Sequence, residues 1–141
     1  MVYKKYNKLY KGTGTGIAKL AIRGGSRALP SIVYYIRLRF TDGLVLYKIG
    51  YTSMSLRARL YGYYTKESGR RYRKGGMGIP AGTIVECVAI LYQGDTEDAF
   101  RHEQDLHRRY AEHRYSGPNR IANGNSELYR RDVLGLDNVN R

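Results

Sequence analysis

Residues 31–52 read SIVYYIRLRF-TDG-LVLYKIGYT. The two outer runs are rich in β-branched and aromatic residues, which favour strands, and the first run alternates partly between apolar and polar side chains. Between them, Thr41, Asp42 and Gly43 are turn residues, and Asp-Gly supplies the positive φ angles that a tight turn needs. The segment therefore predicts a β-hairpin.

A short helix and a third strand are predicted after the hairpin. Ser55 precedes LRARLY at residues 56–61, and a serine before a run of good helix formers is typical of a helix N-cap. An apolar run over residues 83–93 predicts the strand. Cys87 lies inside that run and is the only cysteine, so we interpret it as a small core residue rather than a catalytic thiol or a zinc ligand.

The longest helix is predicted over residues 97–114, because Asp95 and Thr96 offer an N-cap directly after the third strand. A further short helix is compatible with residues 127–134, after a loop rich in Gly, Pro and Asn. This element order predicts an α/β fold of the α+β kind, in which helices flank a small three-stranded antiparallel sheet.

The chain carries a large positive charge. It has 25 Lys and Arg residues against 12 Asp and Glu residues, a net charge of +13 over 141 residues, which indicates a polyanionic partner. No run of about 18 apolar residues could span a bilayer, and no apolar core follows the basic N-terminus as in a signal peptide. We therefore expect a cytoplasmic protein that binds nucleic acid and no membrane. A homo-oligomer is compatible with the sequence but is not indicated by it.

Two basic, glycine-bearing segments are expected to contact phosphates. The first is an arm over residues 1–30 without acidic residues, followed by a domain over 31–134 and a polar tail over 135–141. The second lies in the loop over residues 65–79. The residues expected to bind the nucleic-acid backbone are Lys4, Lys5, Lys8, Lys11, Arg70, Arg71, Arg73 and Lys74.

One carboxylate lies on the apolar face of the longest predicted helix. A 3.6-residue period places Glu103 on the same stripe as Ala99, Phe100, Leu106, His107 and Tyr110. A buried carboxylate must be paired, protonated or bound to a cation. For Glu103 the alternatives are a salt bridge to an arginine and a metal ion. His107 is either a second ligand or a hydrogen-bonded core residue.

The order of these features resembles the GIY-YIG nuclease superfamily. Val33-Tyr34-Tyr35-Ile36 is followed by Lys48-Ile49-Gly50 and then by Leu56-Arg57-Ala58-Arg59-Leu60, and the long helix reads EQDLHRRY from Glu103. In that family the two tripeptides lie on adjacent strands, an arginine follows on the next helix, and a later glutamate holds one divalent metal ion. The resemblance spans residues 31–130 and is to the phage-type branch with K-I-G, although Ile32 replaces a glycine and Lys48 the usual tyrosine.

The resemblance implies a metal-dependent endonuclease of the phage or mobile-element type, which hydrolyses phosphodiester bonds in double-stranded DNA. It implies catalytic roles for Tyr34, Lys48, Arg59, Tyr63 and Glu103. Glu103 would hold Mg²⁺ or Mn²⁺, and Arg59 would brace the phosphate oxygens. Tyr34 and Lys48 are the alternative residues for orienting or deprotonating the attacking water.

Three further readings stay open. Glu127 either matches a closing phrase of related phage-type domains or is a helix N-terminal acid behind Ser126. A non-catalytic, basic nucleic-acid-binding protein would carry the same charge and tyrosines, and so would a small structural protein of a larger nucleic-acid assembly. Only a nuclease needs Tyr34, Arg59 and Glu103 to converge.

Overall fold

An antiparallel sheet lies at the centre of the computed structural model of the chain. The structure describes residues 30–63 and 75–137, together with the backbone of Lys4 and Lys5. The strands are β1 (Lys4–Lys5), β2 (Ser31–Arg39), β3 (Val45–Thr52), β4 (Ile84–Gly94) and β5 (Leu128–Tyr129), in the order β1-β4-β2-β3-β5. The helices are α1 (Leu56–Tyr61) and α2 (Thr96–Arg109), and two 3₁₀ turns cover Ala111–His113 and Asn125–Glu127. The predicted α+β fold is confirmed, with two short strands added to the three expected.

β2 and β3 form the predicted hairpin. Tyr34 lies opposite Gly50 in the ladder. The Phe40 N–H donates to the Leu44 carbonyl at 2.9 Å to close the turn, in which Gly43 has a φ of 92°. Such a φ is favourable for glycine and costly for other residues, which explains the Asp-Gly pair.

The sheet is covered on both faces, because successive residues of β2 point to opposite sides. On one side, Tyr34 and its neighbours pack with Leu56 and Leu60 of α1. On the other side, Tyr35 belongs to a cluster with Ala99 and Leu106 of α2. The two helices thereby fix the hairpin between them.

Both helices begin at the predicted caps. The Ser55 hydroxyl accepts a hydrogen bond from the Ala58 N–H at 3.1 Å, and Asp95 caps α2 in the same way. α2 ends before the predicted residue 114, because Tyr110 leaves the helical conformation with φ −110° and ψ 19°. No helix in the described ranges is long and apolar enough to cross a membrane.

Residues 127–134, which are compatible with a short helix by sequence, do not form one beyond the 3₁₀ turn that ends at Glu127. Leu128 and Tyr129 instead form β5, which pairs with Lys48 and Tyr47 of β3. Both side chains are 0 % exposed, and they join the clusters on opposite faces of the sheet. Consecutive residues can enter both layers only from a strand, so tertiary packing selects the extended form here.

The chain after β5 packs on the face that carries α2. Asp137 is buried and accepts hydrogen bonds from the Arg37 guanidinium at 2.5 and 2.6 Å and from the Tyr47 hydroxyl at 2.6 Å. Arg37 is 2 % exposed and also pairs with Glu86. The packed domain therefore extends beyond residue 134, into the segment predicted to be a polar tail.

Candidate active site

The candidate site lies along the edge of β3, next to the residue at which β5 begins. β5 pairs with β3 at Tyr47 and Lys48 and stops there. α2 packs alongside the following residues and carries Glu103 and His107, and the Tyr51 backbone hydrogen-bonds with the Glu103 carboxyl group. The helix and the strand edge together enclose these two side chains.

Glu103 is buried and only half satisfied. The residue is 1 % exposed, and its Oε1 accepts a hydrogen bond from Gln104 Nε2 at 2.9 Å. Its Oε2 has no hydrogen-bond partner within the described part of the chain, where no arginine pairs with this carboxylate either. Burial and, next in importance, the Glu127 carboxylate raise the pKa of Glu103 from its ordinary 4.5 to about 7. The described residues therefore do not form the salt bridge between Glu103 and an arginine that the sequence left as an alternative.

His107 lies one helical turn after Glu103 and faces it. Its Nδ1 is 2.5 Å from the Tyr129 hydroxyl oxygen, and its Nε2 is 3.9 Å from Glu103 Oε2. Nε2 is buried and has no hydrogen-bond partner among the described residues. Burial lowers the pKa of His107, which favours the neutral ring. In the tautomer whose Nδ1–H donates to Tyr129, Nε2 carries the lone pair that a metal ligand requires.

Glu127 adds a third candidate ligand to Glu103 and His107. It ends the 3₁₀ turn before β5 and forms an ion pair with Lys48. One ligand atom from each of Glu103, His107 and Glu127 lies within 4.8 Å of the other two. Two carboxylates and a neutral imidazole can hold one divalent metal ion.

Tyr34 and Lys48 are fully buried beside this cluster. Lys48 Nζ donates to the Tyr34 hydroxyl oxygen at 3.2 Å in addition to pairing with Glu127. Burial raises the pKa of Tyr34, although the charges of Lys48 and Arg59 act in the opposite direction. Burial alone would lower the pKa of Lys48, but Tyr34 and Glu127 raise it. The phenol therefore stays protonated and the amine stays charged near neutral pH.

Glycines leave the space that this packing needs. A Cβ atom at Gly50 would overlap the Tyr34 hydroxyl and lie 2.8 Å from Lys48 Nζ. Gly124 has a φ of 95°, and a Cβ atom there would lie 3.0 Å from Lys48 Cε. Steric crowding therefore explains why the Lys48-Ile49-Gly50 motif ends in glycine.

The two remaining predicted catalytic residues, Arg59 and Tyr63, are less buried than Tyr34 and Lys48. Arg59 is half-buried in the last turn of α1, and its positive charge acts against the burial that raises the pKa of Tyr34. Tyr63 is 44 % exposed and lies beyond the end of α1, next to Gly75. The structure thus brings Tyr34 and Lys48 next to the cluster of Glu103, His107 and Glu127, leaves Arg59 half-buried on α1, and does not place Tyr63 in the buried cluster.

Most residues predicted to bind the nucleic-acid backbone lie outside the described ranges, namely Lys8, Lys11, Arg70, Arg71, Arg73 and Lys74. The backbone of Lys4 and Lys5 forms β1 and pairs with Ile90 and Ala89 of β4. Part of the predicted N-terminal arm is therefore joined to the sheet.

The sequence left the roles of His107 and Glu127 open. The spacing of four residues between Glu103 and His107 is the sequence signal for the role of His107, because it puts both side chains on one helix face. For Glu127 the signal is the match to a closing phrase of related phage-type domains, whereas no local periodicity links it to Glu103, because it reaches the cluster through the pairing of β5 with β3.

One family model matches most of the chain. The family model described as the T5orf172 domain matches residues 31–140, a range that contains all the residues of the cluster. No curated protein and no solved structure matches the chain significantly. The T5orf172 domain is a phage-associated domain of the GIY-YIG/HNH-like endonuclease clade, so a nuclease-like family is confirmed, whereas membership of the GIY-YIG type stays a prediction. The chain therefore belongs to the T5orf172 domain family, a nuclease-like family whose activity implies that its members bind nucleic acid.

Proposed function

We propose that this protein is a metal-dependent endonuclease of the GIY-YIG type that hydrolyses phosphodiester bonds in double-stranded DNA. The observation that carries the proposal is the pair of buried, unpartnered atoms, Glu103 Oε2 and His107 Nε2, which face each other at 3.9 Å beside Glu127. A buried polar atom without a partner costs roughly 1–3 kcal/mol, and a cation shared by the two would remove that cost. Simple binding to nucleic acid requires no such cluster.

The donor set fits one divalent cation. Glu103, His107 and Glu127 would hold it, and a bound cation supplies Lewis-acid stabilisation of the phosphate and of the leaving oxygen. Mg²⁺ prefers oxygen ligands and retains several waters, whereas an imidazole suits transition-metal ions better. His107 therefore favours Mn²⁺ of the two ions expected from the sequence.

Tyr34 and Lys48 would act by position and charge. Because Lys48 Nζ donates to the Tyr34 oxygen, the phenolic proton points elsewhere and can be donated to a water or to a phosphate oxygen. The raised pKa of Tyr34 argues against a phenolate base at neutral pH. Lys48 keeps its charge and offsets the negative charge that builds up on the phosphate in the transition state.

Arg59 would complete the charge stabilisation. Its positive charge acts on Tyr34, and its planar guanidinium can bind two nonbridging oxygens of one phosphate. Tyr63, exposed beyond the end of α1, is better suited to contact the bound strand than the reacting phosphate.

The decisive experiment is the incubation of supercoiled plasmid with the protein in Mg²⁺, in Mn²⁺ and in chelator. We expect cleavage only with a divalent ion, and faster cleavage with Mn²⁺. Glu103→Gln keeps the shape of the side chain and removes its charge, so the single-turnover rate should fall about 100-fold or more while DNA affinity is retained. Glu97→Gln is the matched control, because Glu97 lies on the same helix with a side chain 78 % exposed.

Two outcomes would contradict this proposal, the first its activity and the second its assignment of the active site. DNA binding without cleavage under all three conditions would favour the non-catalytic nucleic-acid-binding protein. Metal-dependent cleavage by Glu103→Gln at the rate of the unaltered protein would leave the nuclease in place and refute the site.

A further inference from the structure

A second polar surface lies on the far side of β5 from the hairpin. The chain after α2 returns antiparallel to β5, so that Arg114 lies opposite Tyr129 and the Arg130 N–H donates to the His113 carbonyl at 3.3 Å. This short ladder gathers three arginines around one concave surface of about 350 Å³. The surface is lined by Glu112, His113, Arg114, Ser116, Arg130 and Arg131.

The three arginines keep their charge uncompensated. Arg130 Nη2 donates to the Ser116 hydroxyl at 2.8 Å, and Arg131 Nη2 donates to His113 Nε2 at 2.8 Å. Because arginine can only donate, His113 Nε2 is the acceptor of this hydrogen bond. Arg114 hydrogen-bonds with Tyr129. Within the described residues, none of the three guanidinium groups pairs with a carboxylate.

The exposed arginines of α2 provide the contrast. Arg101 pairs with Glu97 and Asp98, and Arg108 pairs with Asp105. Neutral partners orient a guanidinium without cancelling its charge, whereas carboxylates cancel it. Glu112 is the single acid on the lining of the concave surface, and its side chain is 83 % exposed at 3.9 Å from His113. The net charge of the surface is therefore strongly positive.

We infer that the concave surface formed by Arg114, Arg130 and Arg131 binds backbone phosphates of the DNA. Three oriented, uncompensated guanidinium groups on one concave surface supply the positive charge and the N–H donors that phosphate oxygens accept. The surface is linked to the candidate active site through Tyr129, which hydrogen-bonds with both Arg114 and His107. The choice of DNA as the source of the phosphates rests on the proposed function.

The test is the salt dependence of binding to a short DNA duplex, measured in chelator so that cleavage plays no part. Each phosphate contact contributes about 0.9 to the slope of log K against log salt. Arg130→Ala/Arg131→Ala should therefore lower this slope by about 1 to 2. Arg101→Ala/Arg108→Ala removes the same charge from paired, exposed positions and should leave the slope unchanged.

The variant Arg130→Lys/Arg131→Lys guards against a misfolding artefact, because it keeps the charge and should keep most of the slope. Equal slopes for the two alanine variants would overturn the inference. Displacement of the duplex by millimolar inorganic phosphate at constant ionic strength would assign the surface to free phosphate and would also overturn it. Because no step requires metal or cleavage, a failed plasmid assay would leave this result interpretable.

Discussion

Single residues at the candidate site are held by close packing around Gly50. This glycine lies opposite Tyr34 in the hairpin, and Tyr34 and Lys48 are both 0 % exposed, so neither can move aside for a larger residue. We predict that Gly50→Ala displaces the Tyr34–Lys48 pair and costs about 1–3 kcal/mol in the free energy of unfolding, as overpacking of a core does. Urea denaturation followed by circular dichroism measures this cost.

Gly94→Ala is the matched control at the end of β4. A Cβ atom at Gly94 would lie 2.7 Å from the Tyr92 hydroxyl, but Tyr92 is only half-buried and its ring can rotate away. This variant should lose little stability. Equal losses for the two substitutions would show that Gly50 has no special steric role.

Part of the site could be predicted residue by residue. The helical period alone places Glu103 in the interior, and the hairpin brings Tyr34 and Lys48 to one face. The same period wrongly placed Phe100 in the core, where the structure has it 45 % exposed against the Tyr51 ring at 5.5 Å. A residue at the edge of the apolar face of a helix becomes buried or exposed according to its tertiary neighbours, and the helical period does not specify those neighbours.

At the level of whole elements, local signals decided which predictions succeeded. The hairpin turn and the caps Ser55 and Asp95 each satisfy backbone groups within a few residues, so the sequence specifies them. β5 has only two residues and no local signal. It exists because β3 offers an edge and two core layers offer space, which are tertiary conditions.

The C-terminal segment should be held mainly by Asp137. Its carboxylate satisfies Arg37 and Tyr47 in the interior, and its removal would leave a buried guanidinium with Glu86 alone. We predict that Asp137→Ala costs about 3 kcal/mol or more in the free energy of unfolding, as loss of one partner in a buried ion pair does.

Asp105→Ala provides the comparison for Asp137, because Asp105 also pairs with arginine but its side chain is 56 % exposed. Exposed pairs contribute about 0–1 kcal/mol, so chemical denaturation should show only a small loss. A loss below 1 kcal/mol for Asp137→Ala would mean that the segment is dispensable to the fold.

The stability of the whole molecule should depend on pH through Glu103. Its pKa is raised to about 7 in the folded protein, so the folded state binds the proton more tightly than the unfolded chain does. This contribution is complete below pH 4.5, is lost as the pH rises toward 7, and is absent above that. Two and a half pKa units correspond to about 3 kcal/mol.

Glu103→Gln isolates this contribution, because it mimics the protonated carboxyl at every pH. In chelator, we expect the variant to match the unaltered protein near pH 4.5 and to be more stable by up to about 3 kcal/mol at pH 8. Thermal unfolding over this pH range, with Glu97→Gln in parallel, measures the difference. A difference independent of pH would show that Glu103 does not titrate in the fold as described.

The position of the candidate ligands also has a topological consequence. Glu103 and His107 come from α2, whereas Glu127 comes from the turn before β5, so a shared cation would close the intervening chain into a ring. Such a cross-link removes loop entropy much as a disulfide does, yet it can be undone by chelation. By thermodynamic reciprocity, any substitution that loosens the intervening loop would weaken cation affinity without touching a ligand.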